Sequence, residues 1–594
     1  MTNATPARTP RRRRVLLWSI VGALLVVLVG SAIWLGVRAA QARDELTALV
    51  PLVDDLRVAA ADRDLVEIGK VADEVGEHAA RAAELTGDPI WRAAEIIPVA
   101  GPNLTAVRVV SQQLDQMSDE SIPPLLSVLG IVDGASLLDA GKVDLALLGD
   151  LRSPLDQAHR SFSFAADELD GLDTADVVAE VRDAVGTLRA AVHIATDATA
   201  GASDAVQILP SMLGAEGPRT ILLMFQNNAE LRTGGGITGS FAQFDAVDGS
   251  ISLVRQASSS DFERRASPIL PIPTADAALF GDEVGTFVQN VTMSTDFEFS
   301  AALGVAWWQE YTGVTPDVVV AIDPLVIRSV VAAGDGISLP DGTILTADGF
   351  VDELLIEPYR ALDQDAQTVL QQMVTAATFD FVLRGGLSPV EWVTALTQPV
   401  QDGRVSVWTA DEKTNARVAD SVLGGPRARH ALAPDDAFAV WLNDTSGGKM
   451  GPYLQTAVQP QVAVCRADGK SEVAISVTLT STAPADAAAL PFSVTGGGNY
   501  GVAAGDLGVN VSVAAPPGFL PGGVTEGAER LLPIDVDDRG FATSLVSVVL
   551  APGQTRTVDF MFVSPNTDPV VPTILHTPLI EDPEIGPPTA RPCG

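Results

Sequence analysis

The spacing of apolar residues divides the chain into stretches with different periods. Residues 15–37 carry no charge and are dominated by Leu, Val and Ile. About 20 such residues cross a bilayer as a helix. From 39 to 212 apolar residues recur three and four apart: Leu65, Ile68, Val71 and Val75; Leu104, Val107, Val110, Leu114 and Met117; Val178, Val181, Val185, Leu188 and Val192. That period predicts amphipathic helices, with Asn103 and Thr174 as N-caps and breaks at Gly87-Asp88-Pro89 and at 98–102. The apolar heptads are short and interrupted, which fits a helical bundle better than a partner-binding coiled coil.

From 213 to 425 strand and helix signals mix. Ile221-Leu222-Leu223-Met224-Phe225 reads as a buried strand. Asp248-Gly249 sits between two alternating runs, the sign of a β-hairpin. Residues 317–323 read as a second buried strand, 324–333 as a helix, and Leu339-Pro340-Asp341-Gly342 as a turn. From 435 to 565 short alternating runs recur at 461–466, 473–481, 509–514, 544–550 and 555–563, separated by Asp468-Gly469, Pro516-Pro517-Gly518 and Pro552-Gly553. The expected fold is a multidomain α+β chain. Its parts are a basic tail (1–14), a membrane helix (15–37), a helical region holding a bundle (38–212), an α/β sandwich domain (213–430), a β-sandwich (431–566) and an extended Pro-rich tail (567–594).

Charge sets the expected topology. Arg8 and the Arg11–Arg14 cluster precede the apolar run, whereas Arg38 and Arg43 after it stand near acidic Asp44 and Glu45. The positive-inside rule puts the N-terminus in the cytoplasm and the rest outside, with Trp18 and Trp34 near the two interfaces. A cleaved signal peptide is the competing reading, since Ala40-Gln41-Ala42 resembles a cleavage site, but the apolar core exceeds the usual length. Outside the cytoplasm the only two cysteines, Cys465 and Cys593, most simply form one disulfide; two unpaired thiols are the alternative. The net charge of −37 argues against a nucleic-acid surface and permits divalent cations. Five histidines and no Cys/His spacing leave little room for a zinc site.

Candidate chemistry concentrates at Gln226-Asn227-Asn228-Ala229-Glu230-Leu231-Arg232-Thr233-Gly234-Gly235-Gly236, where a buried strand runs into amides, a carboxylate, an arginine and glycines. Open α/β sheets bind ligands at the carboxyl ends of their strands, and glycines let backbone N–H groups approach a ligand. The same residues also suit a tight turn packed on its own strand, with Arg232 paired to Glu230 or a later carboxylate. No Lys-Ser/Thr follows the glycines, so this is not a P-loop. The polar segment 443–450 reads as a domain junction or a second ligand surface.

The chain resembles the bacterial family catalogued as domain of unknown function 4012. The resemblance rests on Asp88-Pro89-Ile90-Trp91, Ile97-Pro98-Val99-Ala100-Gly101, residues 222–240, Asn290-Val291-Thr292, residues 317–324 and Gly447-Gly448-Lys449-Met450. It implies a membrane-anchored protein associated with surface-polysaccharide loci, and no defined activity. At the level of topology the chain also resembles the LytR-CpsA-Psr phosphotransferases. They share a short cytoplasmic tail, one membrane helix and an outside α/β domain, and transfer lipid-pyrophosphate-linked glycopolymers to the cell wall. Their arginine–aspartate motifs are not reproduced residue for residue.

Pyrophosphate transfer needs cationic forks, a divalent ion and a base. Arg232 and Asp261 are the candidate catalytic pair. Arg264 and Arg265 are further phosphate contacts; Gln226, Asn227, Asn228, Glu230, Asn290 and Gly234–Gly236 are candidate ligand-binding positions. Asp296 and Glu298 are the candidate ligands of a divalent cation such as Mg. Solvated loop charges are the competing reading for Arg264 and Arg265, and cap residues for Asp296 and Glu298. Two function classes follow: an enzyme or binding protein of lipid-linked glycopolymers in cell-envelope assembly, or a non-catalytic envelope scaffold that holds partner proteins.

Overall fold

The computed structural model describes residues 11–61, 64–139, 141–334, 336–384 and 387–592. The expected basic tail therefore lies mostly outside the described residues, as does Cys593. The chain is mixed α+β. It forms two compact units: one runs to Asp133 and adds Gly149–Ser203, and the other comprises Gly134–Leu148 and everything from Asp204 on.

The first unit is helical. A continuous helix, Arg11–Ala61, contains the uncharged run; its segment Leu25–Leu56 is long and apolar enough to cross a membrane, at a mean hydropathy of 1.6. That length and composition fit a single membrane anchor or a signal sequence. Asp64 caps the next helix, Leu65–Thr86, by accepting from the N–H groups of Val66 and Glu67. Asp88 caps Pro89–Ala94 in the same way. The predicted stripes pack on each other: Val110, Leu114 and Met117 of Ala100–Glu120 share a core with Leu169, Leu188 and Val192. Two cap assignments need correction. Gly101-Pro102 lies inside the first turn of Ala100–Glu120, where a missing N–H costs nothing. Asn103 therefore does not cap; it donates to Val99 O and accepts from Val178 N. The last helix begins at Ala179, five residues after Thr174, whose carbonyl accepts from Arg182 instead.

The second unit holds a seven-stranded mixed sheet. Its strands are β1 (Leu138–Asp139), β2 (Lys142–Val143), β3 (Arg219–Arg232), β4 (Gly235–Val247), β5 (Ser250–Ser258), β6 (Val318–Ile322) and, after a separate ribbon of β7 (Ile337–Ser338) and β8 (Ile344–Leu345), β9 (Val405–Thr409). Their spatial order is β1-β2-β5-β4-β3-β6-β9, with β3 and β6 parallel. Asp248 and Gly249 both take positive φ in the β4–β5 turn, as a two-residue hairpin of this twist requires. Alternation along β3 sends Leu222 and Met224 to one face, against Trp307 and Trp308 of helix Phe297–Thr312. Ile221, with Val318 and Val407, meets Ile208 and Met212 on the other.

The C-terminal strands are β10 (Ala437–Asp444), β11 (Leu454–Ala463), β12 (Glu472–Ser481), β13 (Leu507–Ala514), β14 (Leu520–Glu526), β15 (Glu529–Leu531), β16 (Ile534–Asp538), β17 (Phe541–Leu550), β18 (Thr555–Val563), β19 (Thr573–His576), β20 (Glu584–Ile585) and β21 (Thr589–Ala590). They build two sheets, β16-β17-β13-β10-β19 and β15-β14-β18-β12-β11-β20, the latter with β21 also on β11. Val511 and Val548 of the first and Ile475 and Phe560 of the second share one core. The extended tail from 567 on is tied to both sheets: β19 pairs with β10, and β20 and β21 pair with β11, all parallel. Sheet edges offer unpaired N–H and C=O groups, and a Pro-spaced segment can satisfy them intermittently. The expected break at 430 does not separate compact units, because Leu231 and Tyr359 from the central region enter the same core as the two sheets.

Candidate functional site

The polar motif lies within a hairpin and not in a loop after the strand. β3 continues through the amides to Arg232, turns at Thr233-Gly234, and returns as β4. Asn227 pairs with Ile237 and Leu231 with Gly236, so Asn228-Ala229-Glu230 bulge out of the ladder. The glycines serve chain-to-chain approach instead of ligand approach. A Cβ on Gly236 would sit 2.2 Å from the Asn227 carbonyl, and one on Gly451 would sit 2.6 Å from Asn228 O.

Segments far apart in sequence converge on this hairpin tip. Asn290 Oδ1 accepts from Arg232 Nε and Nη2 at 3.0 and 2.8 Å. Thr292 donates to Gly236 O, and Thr233 exchanges two hydrogen bonds with Asn443. Glu230 is held between Arg232 and Lys449, each at 3.2 Å. Asn228 Nδ2 donates to Asp323 Oδ2 at 2.8 Å and to Pro578 O. Every charge at the tip is thus paired, as burial requires. Burial pulls the Lys449 ammonium down, but Glu230, Tyr359 and Asp444 outweigh it and hold its pKa above the ordinary lysine value. Burial raises the Asp444 carboxyl to about 6, reinforced by Glu230 and opposed by Arg232.

Beside the tip, where the parallel pairing of β3 and β6 ends at Phe225 and Ile322, opens a cleft of about 80 Å³. Phe225, Ile327, Leu354, Leu355, Leu370 and Val374 supply apolar wall. Gln226, Asn227, Tyr359, Gln367, Gln371 and Thr375 supply neutral polar groups. One wall, Asp352–Ile356, is a π-helical turn, a form found frequently at functional sites. Tyr359 Oη accepts from Asn227 Nδ2 and from Gln371 Nε2, which fixes both amides at the cleft. Gln226 is 3% exposed, and its Oε1 has no hydrogen-bond partner among the described residues. That oxygen is packed inside the hairpin tip, where a Cβ on Gly235 would lie 2.9 Å from it, and does not face the cleft.

The other expected residues are dispersed. Asp261 caps its own turn, accepting from Ser258 N at 2.8 Å, while Arg232 spends its donors on Asn290, Glu230 and Leu231 O. Arg264 is exposed, stacked 4.4 Å from the Phe287 ring, and Arg265 pairs with Glu310. Asp296 caps helix Phe297–Thr312 and is bound by Arg427 and Arg539 at 3.3 and 3.0 Å. A carboxylate neutralised by two guanidinium groups is a poor cation ligand, and Glu298 is exposed in the first turn of the same helix. Among the described residues no group of three His, Cys, Asp or Glu is placed to hold a metal ion. The residues present therefore do not fit the divalent cation. Of the ligand-binding candidates, Gln226 and Asn227 line the cleft; Asn228, Glu230, Asn290 and Gly234–Gly236 build the hairpin tip beside it.

Tyr359, Gln367, Gln371, Asp323 and Arg404 were missed. The Asp323-Pro324 pair was legible as a helix start, and Asp323 Oδ1 indeed accepts from Leu325 N and Val326 N. Its second oxygen, bound by Asn228 and Arg404, had no sequence signal.

Residues 216–359 match the family model described as a protein of unknown function, DUF4012. No curated protein matches the chain. The matched segment, about a quarter of the chain, carries the hairpin, β6, the π-helical turn and Tyr359, and over that segment the chain is similar to the DUF4012 family of unknown function.

Proposed function

We propose that this is a membrane-anchored extracytoplasmic protein of cell-envelope assembly that binds a lipid-linked glycopolymer, with the lipid chain in the cleft and sugar hydroxyls on its amides. The observation that carries this reading is the cleft where the pairing of β3 and β6 ends: apolar along its walls and lined at one side by Asn227 and Gln371. An apolar chain gains roughly 25 cal/mol for each Å² it buries there. The neutral amides suit hydroxyl groups. The arginines that a pyrophosphate would need are paired or exposed elsewhere, so binding is favoured over transfer.

The test is binding by the purified full-length protein of a short-chain polyprenyl-pyrophosphate sugar, followed by native mass spectrometry. Val374→Trp should fill the cleft and abolish binding while the thermal unfolding transition stays cooperative. Unimpaired binding by that variant would place the ligand elsewhere; no binding by the wild type would favour the envelope scaffold. The N-terminus is assigned to the cytoplasm by its arginines. A periplasmic-type reporter fused after Ala60 should be active, and a cytoplasmic one silent; the reverse would overturn the orientation.

A further inference from the structure

We propose that the elbow Ile96-Ile97-Pro98-Val99 dips into the outer lipid interface beside the anchor helix and gives the helical unit a second membrane contact. This rests on the membrane reading of the first helix. Helix Leu65–Thr86 returns antiparallel along helix Arg11–Ala61: Glu45 meets His78 and Arg81 at 2.6 and 3.0 Å, and further down Trp34 Nε1 and Arg38 Nε lie 3.3 and 3.9 Å from Asp88. Trp34 and Arg38 stand at the outer end of the uncharged run, where aromatic and basic residues meet headgroups. Asp88 is therefore at the level of the interface. From there the chain makes one short helix, Pro89–Ala94, then the elbow, then turns away again in Ala100–Glu120, whose Ser118 faces Gly76 of the returning helix. The elbow thus sits at the membrane-proximal end of this helix pair.

Its side chains suit lipid and not water. Ile96 is 85% and Val99 80% exposed, with Ile97 and Ile90 also exposed, while neighbouring Trp91 is buried and donates to Leu104 O. Contiguous exposed apolar residues of this kind mark an interaction surface. The elbow is held firmly: Ile97 N donates to Ala94 O and Gly101 N to Ile97 O, and a Cβ on Gly101 would lie 2.0 Å from Glu95 O. Val99 takes φ +72°, a conformation a β-branched residue rarely adopts, so the backbone is constrained to present it outward. Exposed Arg92 on the short helix is placed for lipid phosphates.

The experiment uses the full chain in nanodiscs containing spin-labelled lipids. Bimane is attached without reductant at Ile96→Cys, at Leu25→Cys within the anchor, and at Val66→Cys, an exposed position at the far end of the helix pair. Signal from the unsubstituted protein is subtracted. Quenching several-fold stronger at 96 than at 66, with a blue shift, is the expected result. Quenching at 25 but not at 96 would overturn the elbow contact and leave the anchor standing. No quenching at 25 would overturn both. A blue shift at 96 without lipid quenching would mean that protein covers the elbow, and would also overturn the proposal.

Discussion

Arg404 Nη1 donates to Asp323 Oδ2 at 2.8 Å, with both side chains nearly excluded from solvent. The same oxygen accepts from Asn228, while Arg404 Nη2 reaches Leu579 O and Asp582 of the C-terminal segment. One pair thus joins the strand β6, the bulged hairpin and the tail. Burial pulls the Arg404 guanidinium down, but Asp323, Asp582 and Asp402 outweigh it and raise its pKa.

Removing Arg404 leaves the buried Asp323 carboxylate without a countercharge, whereas Arg404 without Asp323 keeps Asp582 and Asp402. Arg404→Leu should destabilise the protein by about 3–5 kcal/mol and Asp323→Asn by less, with the double variant closer to wild type than their sum. Urea unfolding reads this. Additive losses would mean that the two groups are not coupled.

Tyr359→Phe removes the acceptor shared by Asn227 and Gln371. Two donors at the cleft are then unpaired, at a cost of about 1–3 kcal/mol. If the cleft binds a hydroxyl-bearing ligand, affinity should fall as well, because the amides are no longer fixed. Unchanged stability and unchanged binding would remove Tyr359 from the site.

Two buried groups titrate in weak acid with opposite effects on stability. Burial lowers the His430 imidazole to about 4 while its Nε2 donates to Ala437 O. Between pH 6.5 and 4 the unfolded chain holds a proton there that the folded protein does not, so this group makes stability rise with pH. Asp444 is the reverse: its folded carboxyl stays protonated up to about 6, so between roughly pH 4 and 6 stability falls as pH rises. Asp444→Asn should therefore gain stability relative to wild type as pH rises from 4 to 7. His430→Phe should gain relative to wild type as pH falls from 6.5 to 4. Chemical denaturation across that range checks both; difference profiles that are flat would refute the assignments.

The disulfide expected between Cys465 and Cys593 is a prediction from the sequence, since Cys593 lies outside the described residues. Cys465 is not a free cysteine. The long loop that this pairing closes is worth about 5 kcal/mol in the chain-entropy model. Thiol labelling of the unfolded, unreduced protein should find none; two labelled cysteines would refute the pairing.

What the sequence determined by itself is local. Uncharged length defined the anchor candidate, three-and-four spacing the helical stripes, and Asp248-Gly249 the hairpin turn, because each depends only on neighbours along the chain. The polar run from Gln226 was legible as a place where polar groups gather, and of its two readings the structure has the tight turn with Arg232 paired to Glu230, although β3 runs on through the amides before it turns. Whether amides after a buried strand end it or extend it depends on what covers them. Here Asn290, Asn443, Lys449 and the carbonyl of Pro578 arrive from remote segments to pair with them. Only tertiary structure decided that Arg232 is paired with Glu230 and Asn290. Only tertiary structure placed Tyr359 and Gln371 against Asn227. Buried polar groups must find partners, and no local rule says which distant residue supplies them.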